Sequence, residues 1–488
     1  MIDTEVKQEQ HVFSEDNLLR SINIVFDADH PERIQHFFPT SKSVELLKKL
    51  IDANGHDSLF VVAPYGSGKS LLASFFQQII ENRIDAVRQL QPVFDRIGDL
   101  DPVLAEMINT RCGEEQIFRP SGIAIPLAGY VKNVPRVVAD GVVASLERTG
   151  NIEGAQNIQS MTCESMDDLI TMVTHIREAF ASEYDHIEIL WDEFGRHLEE
   201  IVVRGEAHRL NELQMLAEFG ARSRRIKMGI ALFLHQSLMR YAANVPQTVI
   251  SEWKKVEGRF HTHQFFDDSK EVVSLAARVI ESRFGDRKPS DKTVQEVERQ
   301  VREVGLFGDL KDEELSQVVV SAWPVLPAAL YALPRISSRV AQNERTLFSF
   351  LFSLDSPDIV TVADVFDYFS DLMRSDSTFG GTYHHWLETI TTLENAESAV
   401  EERVIKTLSI FGLGLAGERN RVSLELLVAA AGIPGREAET RRAIGELVGR
   451  KLLLYRKNSD TVLLWHTSDI DLRGRLESEK TRLFVSFD

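Results

Sequence analysis

The chain has 488 residues, 43 % hydrophobic and 26 % charged, which is material for about three domains with sizeable cores and excludes collagen-like, low-complexity and wholly disordered classes. The net charge of −19 excludes a surface that grips nucleic acid over its whole extent. Residues 401–488 carry 15 Lys+Arg against 13 Asp+Glu, so the C-terminal part is the one place for a basic face.

Two cysteines, Cys112 and Cys163, make neither a Cys₄ zinc site nor a disulfide framework. No apolar run reaches the roughly 18 residues that span a bilayer, and the polar start of the chain is no signal peptide. The expectation is a cytoplasmic protein with no membrane contact.

Residues 1–20 read as a polar, mobile tail. Residues 21–26 (SINIVF) suit a short strand, and His30–Thr40 a Pro-bounded aromatic loop. Ser43–Ile51 has helical periodicity with Ser41 or Ser43 as its cap. Ser58–Val62 is a buried-strand run, followed by a Gly-rich turn and an apolar helix at Leu71–Ile80. Residues 81–120 read as irregular and helical. Further strands are expected at Gly122–Val131 (weakened by Pro126), His186–Trp191, Ile226–Leu234 and His261–Phe266. Helices at Met166–Glu183 and Gly205–Arg225, and another running to about Gly258, lie between them. Strands alternating with helices predict a parallel α/β sheet. Residues 267–400 then read as helices broken at Pro324, Pro327, Pro334 and Pro357. Three helical segments follow, then two alternating apolar arms, Leu452–Tyr455 and Thr461–Trp465, around the turn Lys457-Asn458-Ser459-Asp460; this is a winged-helix pattern.

Ala63-Pro64-Tyr65-Gly66-Ser67-Gly68-Lys69-Ser70 fits the Walker A pattern with Ala63 in place of the first glycine. Gly66 and Gly68 permit torsions that aim successive N–H groups into one concavity, and the helix opening at Leu71 adds its dipole. Lys69 can reach the β- and γ-phosphates, and the Ser70 hydroxyl can bind Mg²⁺. The strand ending in Asp192-Glu193 supplies the acidic partner, Asp192 for Mg²⁺ and Glu193 for the attacking water. A glutamate directly after the aspartate favours an additional-strand ATPase, AAA+ or STAND, and no guanine-reading motif is visible, so the expected nucleotide is ATP.

His235-Gln236 closes the fourth strand, and Gln236 could reach the γ-phosphate or the water; a solvated polar pair explains it as well. Arg259, between a helix and the fifth strand, is the arginine-finger position for a neighbouring subunit or a surface arginine. Arg345, first choice among Arg335, Arg339 and Arg345, would read the γ-phosphate from the helical region, unless these cations make helix-face ion pairs. Phe37, Phe38 and Pro39 could line an adenine slot or belong to the core. His261-x-His263 and His384-His385 lack a third zinc ligand nearby. Arg441, Arg442, Arg450, Lys451, Arg456 and Lys457 fall on the third helix and wing of the C-terminal module, where a DNA reader contacts phosphate.

The strings LWDEF, FLHQSLMRYA, EWKKVEGRF, QNERTLFSFL and YRKNSDTVLLWHTSDIDL resemble bacterial P-loop ATPases related to the origin-recognition and STAND branches of AAA+ and found in anti-phage defence systems of the BREX and phage-growth-limitation type. The resemblance spans about residues 20–475. It implies a P-loop AAA+-type parallel sheet sandwiched by helices (residues 21–266), a helical lid (267–399) and a winged-helix domain with a C-terminal extension (400–488). It also implies an ATP- and Mg²⁺-dependent switch that forms a homo-oligomer and acts through an effector such as a nuclease. The winged helix would then be an intramolecular clamp over the nucleotide or make a weak duplex-DNA contact. A DNA-clamping initiator and a scaffold that holds ATP without hydrolysing it are the alternatives. Such ATPases often continue far beyond the segment matching Ser468–Asp471, so the expectation is that an effector domain is either missing from this sequence or supplied by another polypeptide.

Overall fold

The computed structural model describes residues 22–52, 58–63, 67–112, 121–222, 226–242, 245–265, 270–340, 347–355, 357–376, 382–413 and 421–465. The chain divides into two compact units, Met1–Leu275 with Ala341–Phe352, and Ala276–Val340 with Ser353–Asp488.

The first unit is built on five parallel strands: β1 (Ser58–Val62), β2 (Ser121–Ala128), β3 (Tyr184–Asp192), β4 (Lys227–Leu234) and β5 (His261–Gln264), in the order β2-β3-β4-β1-β5. Both faces of β1–β4 are buried, which is why these four read as largely apolar runs, whereas the edge strand β5 (HTHQ) is mostly exposed. Alternation divides the side chains. Phe60, Val62, Ile189, Trp191, Leu232 and Leu234 enter one core, while Leu59, Val61, Leu190, Ala231 and Phe233 enter the other. The second of these cores also takes α1 (Ser41–Ile51) and α2 (Lys69–Glu81). The first takes α3 (Val134–Arg148), α4 (Met166–Ala179), α5 (Phe194–Val203) and α6 (Asn211–Ala221). Pro126 does not break β2, because β2 is the edge strand and its missing N–H costs the ladder nothing on the outer side.

The structure departs from four sequence expectations, the first two through local side-chain chemistry. Ile22–Phe26 is a turn, not a strand: the Asn23 Oδ1 accepts from the N–H groups of Val25 and Phe26, at 3.0 and 3.2 Å, and Asp27 Oδ2 accepts from Asn23 N–H. Thr40, not Ser41 or Ser43, caps α1; Ser43 completes the capping box from its N3 position. In place of the long helix expected over 205–225 there is a 3₁₀ turn at Ala207–Leu210 followed by α6, and Gly205 at φ +71° ends the separate helix α5 ahead of them. The helix from Met166 stops at Ala179, ahead of β3 at Tyr184.

The helix α2 is fixed at its far end. Glu81 is fully buried, and Arg148 of α3 donates to it at 2.6 Å, with the Ser145 hydroxyl adding a bond at 3.0 Å. Burial pushes the Glu81 carboxyl up, and Arg148 opposes that shift. Breaking such a pair from one side costs about 3–5 kcal/mol, so α2 is tightly held against β2 and α3.

In the second unit, Pro334 lies inside α7 (Pro327–Val340) instead of ending it. The turn is held from a side chain: Arg335 donates to the Tyr331 carbonyl at 2.7 Å, and its guanidinium stacks 3.7 Å from the Tyr331 ring centroid. Pro327 opens this helix, where a missing N–H is harmless. The described residues of this unit end in α8 (Ala399–Gly412), α9 (Leu424–Ala431) and α10 (Glu437–Gly449), then an antiparallel hairpin of β6 (Leu453–Arg456) and β7 (Thr461–Leu464). Two of its expected phosphate-facing cations are committed elsewhere. Arg441 makes a bidentate pair with Glu425, and Arg450 pairs with Glu397 and the buried Glu401. Arg442, Lys451, Arg456 and Lys457 are exposed. No helix among the described residues is long and apolar enough to cross a membrane.

Candidate functional site

Parallel strands place all their carboxyl ends on one edge, and that edge is where open α/β sheets bind ligands. Val62 of β1 is level with Leu234 of β4, and Leu232 of β4 with Trp191 of β3. The loop after β1, Asp192-Glu193 after β3 and His235-Gln236 after β4 therefore emerge side by side. The strand β4 is inserted between the two that carry the phosphate loop and the acids.

Ala63 is fully buried, and its N–H donates to the Leu234 carbonyl at 2.8 Å, which ties the start of the loop to β4. Pro64, Tyr65 and Gly66 lie outside the described residues. Ser67 carries a buried hydroxyl with no partner among the described residues. Gly68 holds φ +79° at the N-cap of α2, a left-handed conformation open to glycine, and offers no capping side chain to the first N–H groups of the helix. Those amides and the dipole suit an anion. Leu71 is half-buried in the first turn of α2.

Lys69 is 7 % exposed. Burial lowers its pKa, and Asp192 and Glu193 pull it back up. The Ser70 hydroxyl donates to Asp192 Oδ2 at 2.5 Å. Two hard oxygen donors thus converge beside a buried ammonium, the donor chemistry that suits Mg²⁺ held by few protein groups and by phosphate. Among the described residues there is no cluster of three or more His, Cys, Asp or Glu side chains placed for a metal ion. His263 Nδ1 lies 2.9 Å from Lys49 Nζ, and His385 Nε2 lies 2.8 Å from the Ser409 carbonyl oxygen.

Glu193 has φ +50°, ψ +34°, an uncommon conformation for a residue with a side chain and a form of strain that clusters at functional sites. Its N–H donates to Asp192 Oδ1 at 2.8 Å, which turns the chain from β3 into α5. Its carboxylate pairs with Arg196 at 3.1 Å. Gly129, after β2, has φ +62°; its N–H donates to the Asp192 carbonyl, and its carbonyl accepts from Trp191 Nε1. A Cβ there would lie 4.0 Å from Glu193 Oε2.

An aromatic cluster stiffens this corner. Trp191, Phe194, His197 and Tyr130 pack together with ring centroids 4.6–5.7 Å apart, and His197 Nδ1 accepts from Val131 N–H. His197 is 3 % exposed, and burial, with help from Arg209, lowers its pKa from 6.5 to about 4. The unfolded chain then binds more protons between those values, so stability present above pH 6.5 is lost as pH falls toward 4. From pH 7 to pH 5 this one residue removes about 2 kcal/mol of stability. In urea unfolding, His197→Gln is expected to flatten the pH 5–7 dependence by that amount; an unchanged slope would contradict the burial argument.

His235 is half-buried, with a pKa lowered to about 4 by burial and by the charges of Lys69 and Arg196. Its Nδ1 lies 3.0 Å from the Tyr241 hydroxyl. Gln236 is half-buried beside it. Arg259 is elsewhere. It precedes β5, whose His261 is level with Leu59, so it lies at the amino edge of the sheet, and it pairs with Glu218 at 3.1 Å. The length of β1, about 15 Å, separates that edge from the phosphate residues. Arg345 lies outside the described residues. Phe37 is committed to the core against Phe75 of α2, at 5.1 Å between ring centroids; Phe38 is half-buried and Pro39 buried at the entry to α1. The residues missed from sequence are Arg196 and the Tyr241–His235–Gly195 contact. Only the third-residue spacing of Arg196 from Glu193 on a helix would have pointed to it.

No family model and no curated protein sequence matches the chain. Two solved structures of the Aeropyrum pernix ORC2 protein align along most of its length. The ADPNP-ADP complexes match at 12 % identity over 93 % of each chain with a TM-score of 0.26, and the ADP form matches at 12 % identity over 98 % of each chain with a TM-score of 0.28. A likeness of that degree carries no argument about this chain, and its α/β architecture rests on the strand order and register above.

Proposed function

We propose that the chain is a Mg²⁺-dependent ATP hydrolase of the additional-strand class, working as a nucleotide-driven switch. The observation that carries this reading is the 2.5 Å bond from Ser70 to Asp192, which joins the phosphate loop after β1 to the acids after β3 with β4 between them. Lys69 and the amides at the start of α2 hold the β- and γ-phosphates. Ser70 and Asp192 hold Mg²⁺, which when bound offsets phosphate charge. Glu193 accepts a proton from water as the water oxygen bonds to the γ-phosphorus; the bond from phosphorus to the bridging oxygen breaks, and ADP leaves with that electron pair. Gln236 and His235 border the same edge. Arg259, too far from the phosphates of its own chain, is kept as a candidate for a neighbour's site in a homo-oligomer; Arg345 is kept as the cation from the helical region.

The helix–helix–helix–hairpin module is read as a winged helix acting as a clamp. The pairing of Arg441 and Arg450 with glutamates leaves it a reduced phosphate-facing charge, so direct duplex-DNA binding is the second reading. The anti-phage setting, a cytoplasmic location and an effector partner such as a nuclease come from the family resemblance alone. The test is phosphate release by the purified full chain with ATP. Turnover that requires Mg²⁺ and stops with EDTA is expected. Protein that binds ATP without releasing phosphate would leave the scaffold reading in its place.

A further inference from the structure

Arg196 belongs to none of the roles assigned above. It sits in the first turn of α5, three residues after Glu193, and its guanidinium lies 3.1 Å from Glu193 Oε2. Its side chain is 58 % exposed, so the pair is solvated and easily exchanged for a stronger anion. Two further observations place this arginine at the phosphate edge. Gly195 lets α5 lie directly on the end of β4: a Cβ there would come within 2.2 Å of the Tyr241 hydroxyl and 3.0 Å of His235 Cε1. His235, which follows β4 at that edge, also feels the positive charges of both Lys69 and Arg196.

We propose that Arg196 is a γ-phosphate-sensing residue acting within its own chain, exchanging the Glu193 carboxylate for γ-phosphate oxygens when ATP is bound and thereby releasing Glu193 to the attacking water. The exchange is favoured by chemistry. A guanidinium meets phosphate with paired, charge-assisted hydrogen bonds, whereas its contact with Glu193 is a solvent-exposed ion pair. ADP lacks the γ-phosphate and leaves the Arg196–Glu193 pair undisturbed. Arg196 thus distinguishes the triphosphate from the diphosphate at the carboxylate that hydrolysis needs. This inference rests on the ATPase reading and adds to it a cation in cis, whereas Arg259 is a candidate in trans.

The test uses the full chain with Mg²⁺ and compares wild type, Arg196→Ala and Arg196→Lys. Binding of ATP and ADP is measured by displacement of a fluorescent nucleotide, and turnover by phosphate release. Arg196→Ala is expected to weaken ATP about tenfold or more, leave ADP within about twofold and lower kcat by at least tenfold, the cost of one charged phosphate contact. Arg196→Lys should recover part of the ATP affinity, because it restores charge but not the planar fork. Added guanidinium ion at non-denaturing concentration should raise turnover of Arg196→Ala and not of wild type. Equal weakening of ATP and ADP, or none of either, overturns the proposal for Arg196 while the ATPase reading stands. A wild type that binds neither nucleotide overturns both.

Discussion

Lys69→Ala is expected to weaken ATP binding about 100-fold or more and to abolish measurable hydrolysis. The ammonium lies on the first residue of α2, nearly buried, with Asp192 and Glu193 close enough to oppose the effect of burial on its pKa. Its charge is held at a cost in desolvation, and a triphosphate repays that cost with charge-assisted hydrogen bonds of about 1.5–3 kcal/mol each. Two such contacts account for the 100-fold figure. The same reasoning fixes a control. A buried cation is not a stabilising feature by itself, so Lys69→Ala should melt without ATP no earlier than wild type, while the rise in Tm on adding ATP disappears. Thermal melts with and without Mg²⁺-ATP measure both. A variant that unfolds early in both conditions would mean that Lys69 supports the fold rather than the ligand.

Glu193→Gln is expected to separate binding from chemistry. The amide preserves shape and can still accept from its neighbours, but it cannot take a proton. Loss of a positioned general base costs about 10²–10⁴ in rate. Phosphate release should fall by about that factor while the ATP dissociation constant stays within about threefold. The ion pair with Arg196 is also lost, so ATP should bind no more weakly, and a small gain is consistent with freeing that cation. Rapid-quench measurements under single-turnover conditions distinguish this from slow product release. Full activity in Glu193→Gln would remove Glu193 from the chemistry.

The parts of this site that were legible in the sequence are those fixed by short-range chemistry. The run Ser58–Val62 can only be a buried strand, and Gly68-Lys69-Ser70 at its end needs a left-handed glycine to start α2, as found. Asp192-Glu193 was legible as a strand end, and the order of strands then brought Ser70 against Asp192 across 122 positions of sequence. What was hidden depended on choices between equally plausible partners. Asn23 looks like a strand residue until its side chain takes the amides of Val25 and Phe26. The helix α5 is absent from the elements expected from sequence, although Phe194, Leu198 and Ile201 repeat at helical spacing. Gly195 is there for a tertiary reason, the approach of Tyr241, which no local pattern encodes. Arg441 and Arg450 read as free cations for the same reason: their carboxylate partners lie 16 and 49 residues away.

The central claim is that the loop after β1 and the acids after β3 close on one triphosphate. The most direct measurement is a crystal structure of Glu193→Gln with Mg²⁺-ATP. The account predicts the β- and γ-phosphates against Lys69 and the first amides of α2, with the metal ion between Ser70 Oγ and Asp192. A triphosphate bound elsewhere on the chain, or phosphates out of reach of Lys69 and Ser70, would contradict it.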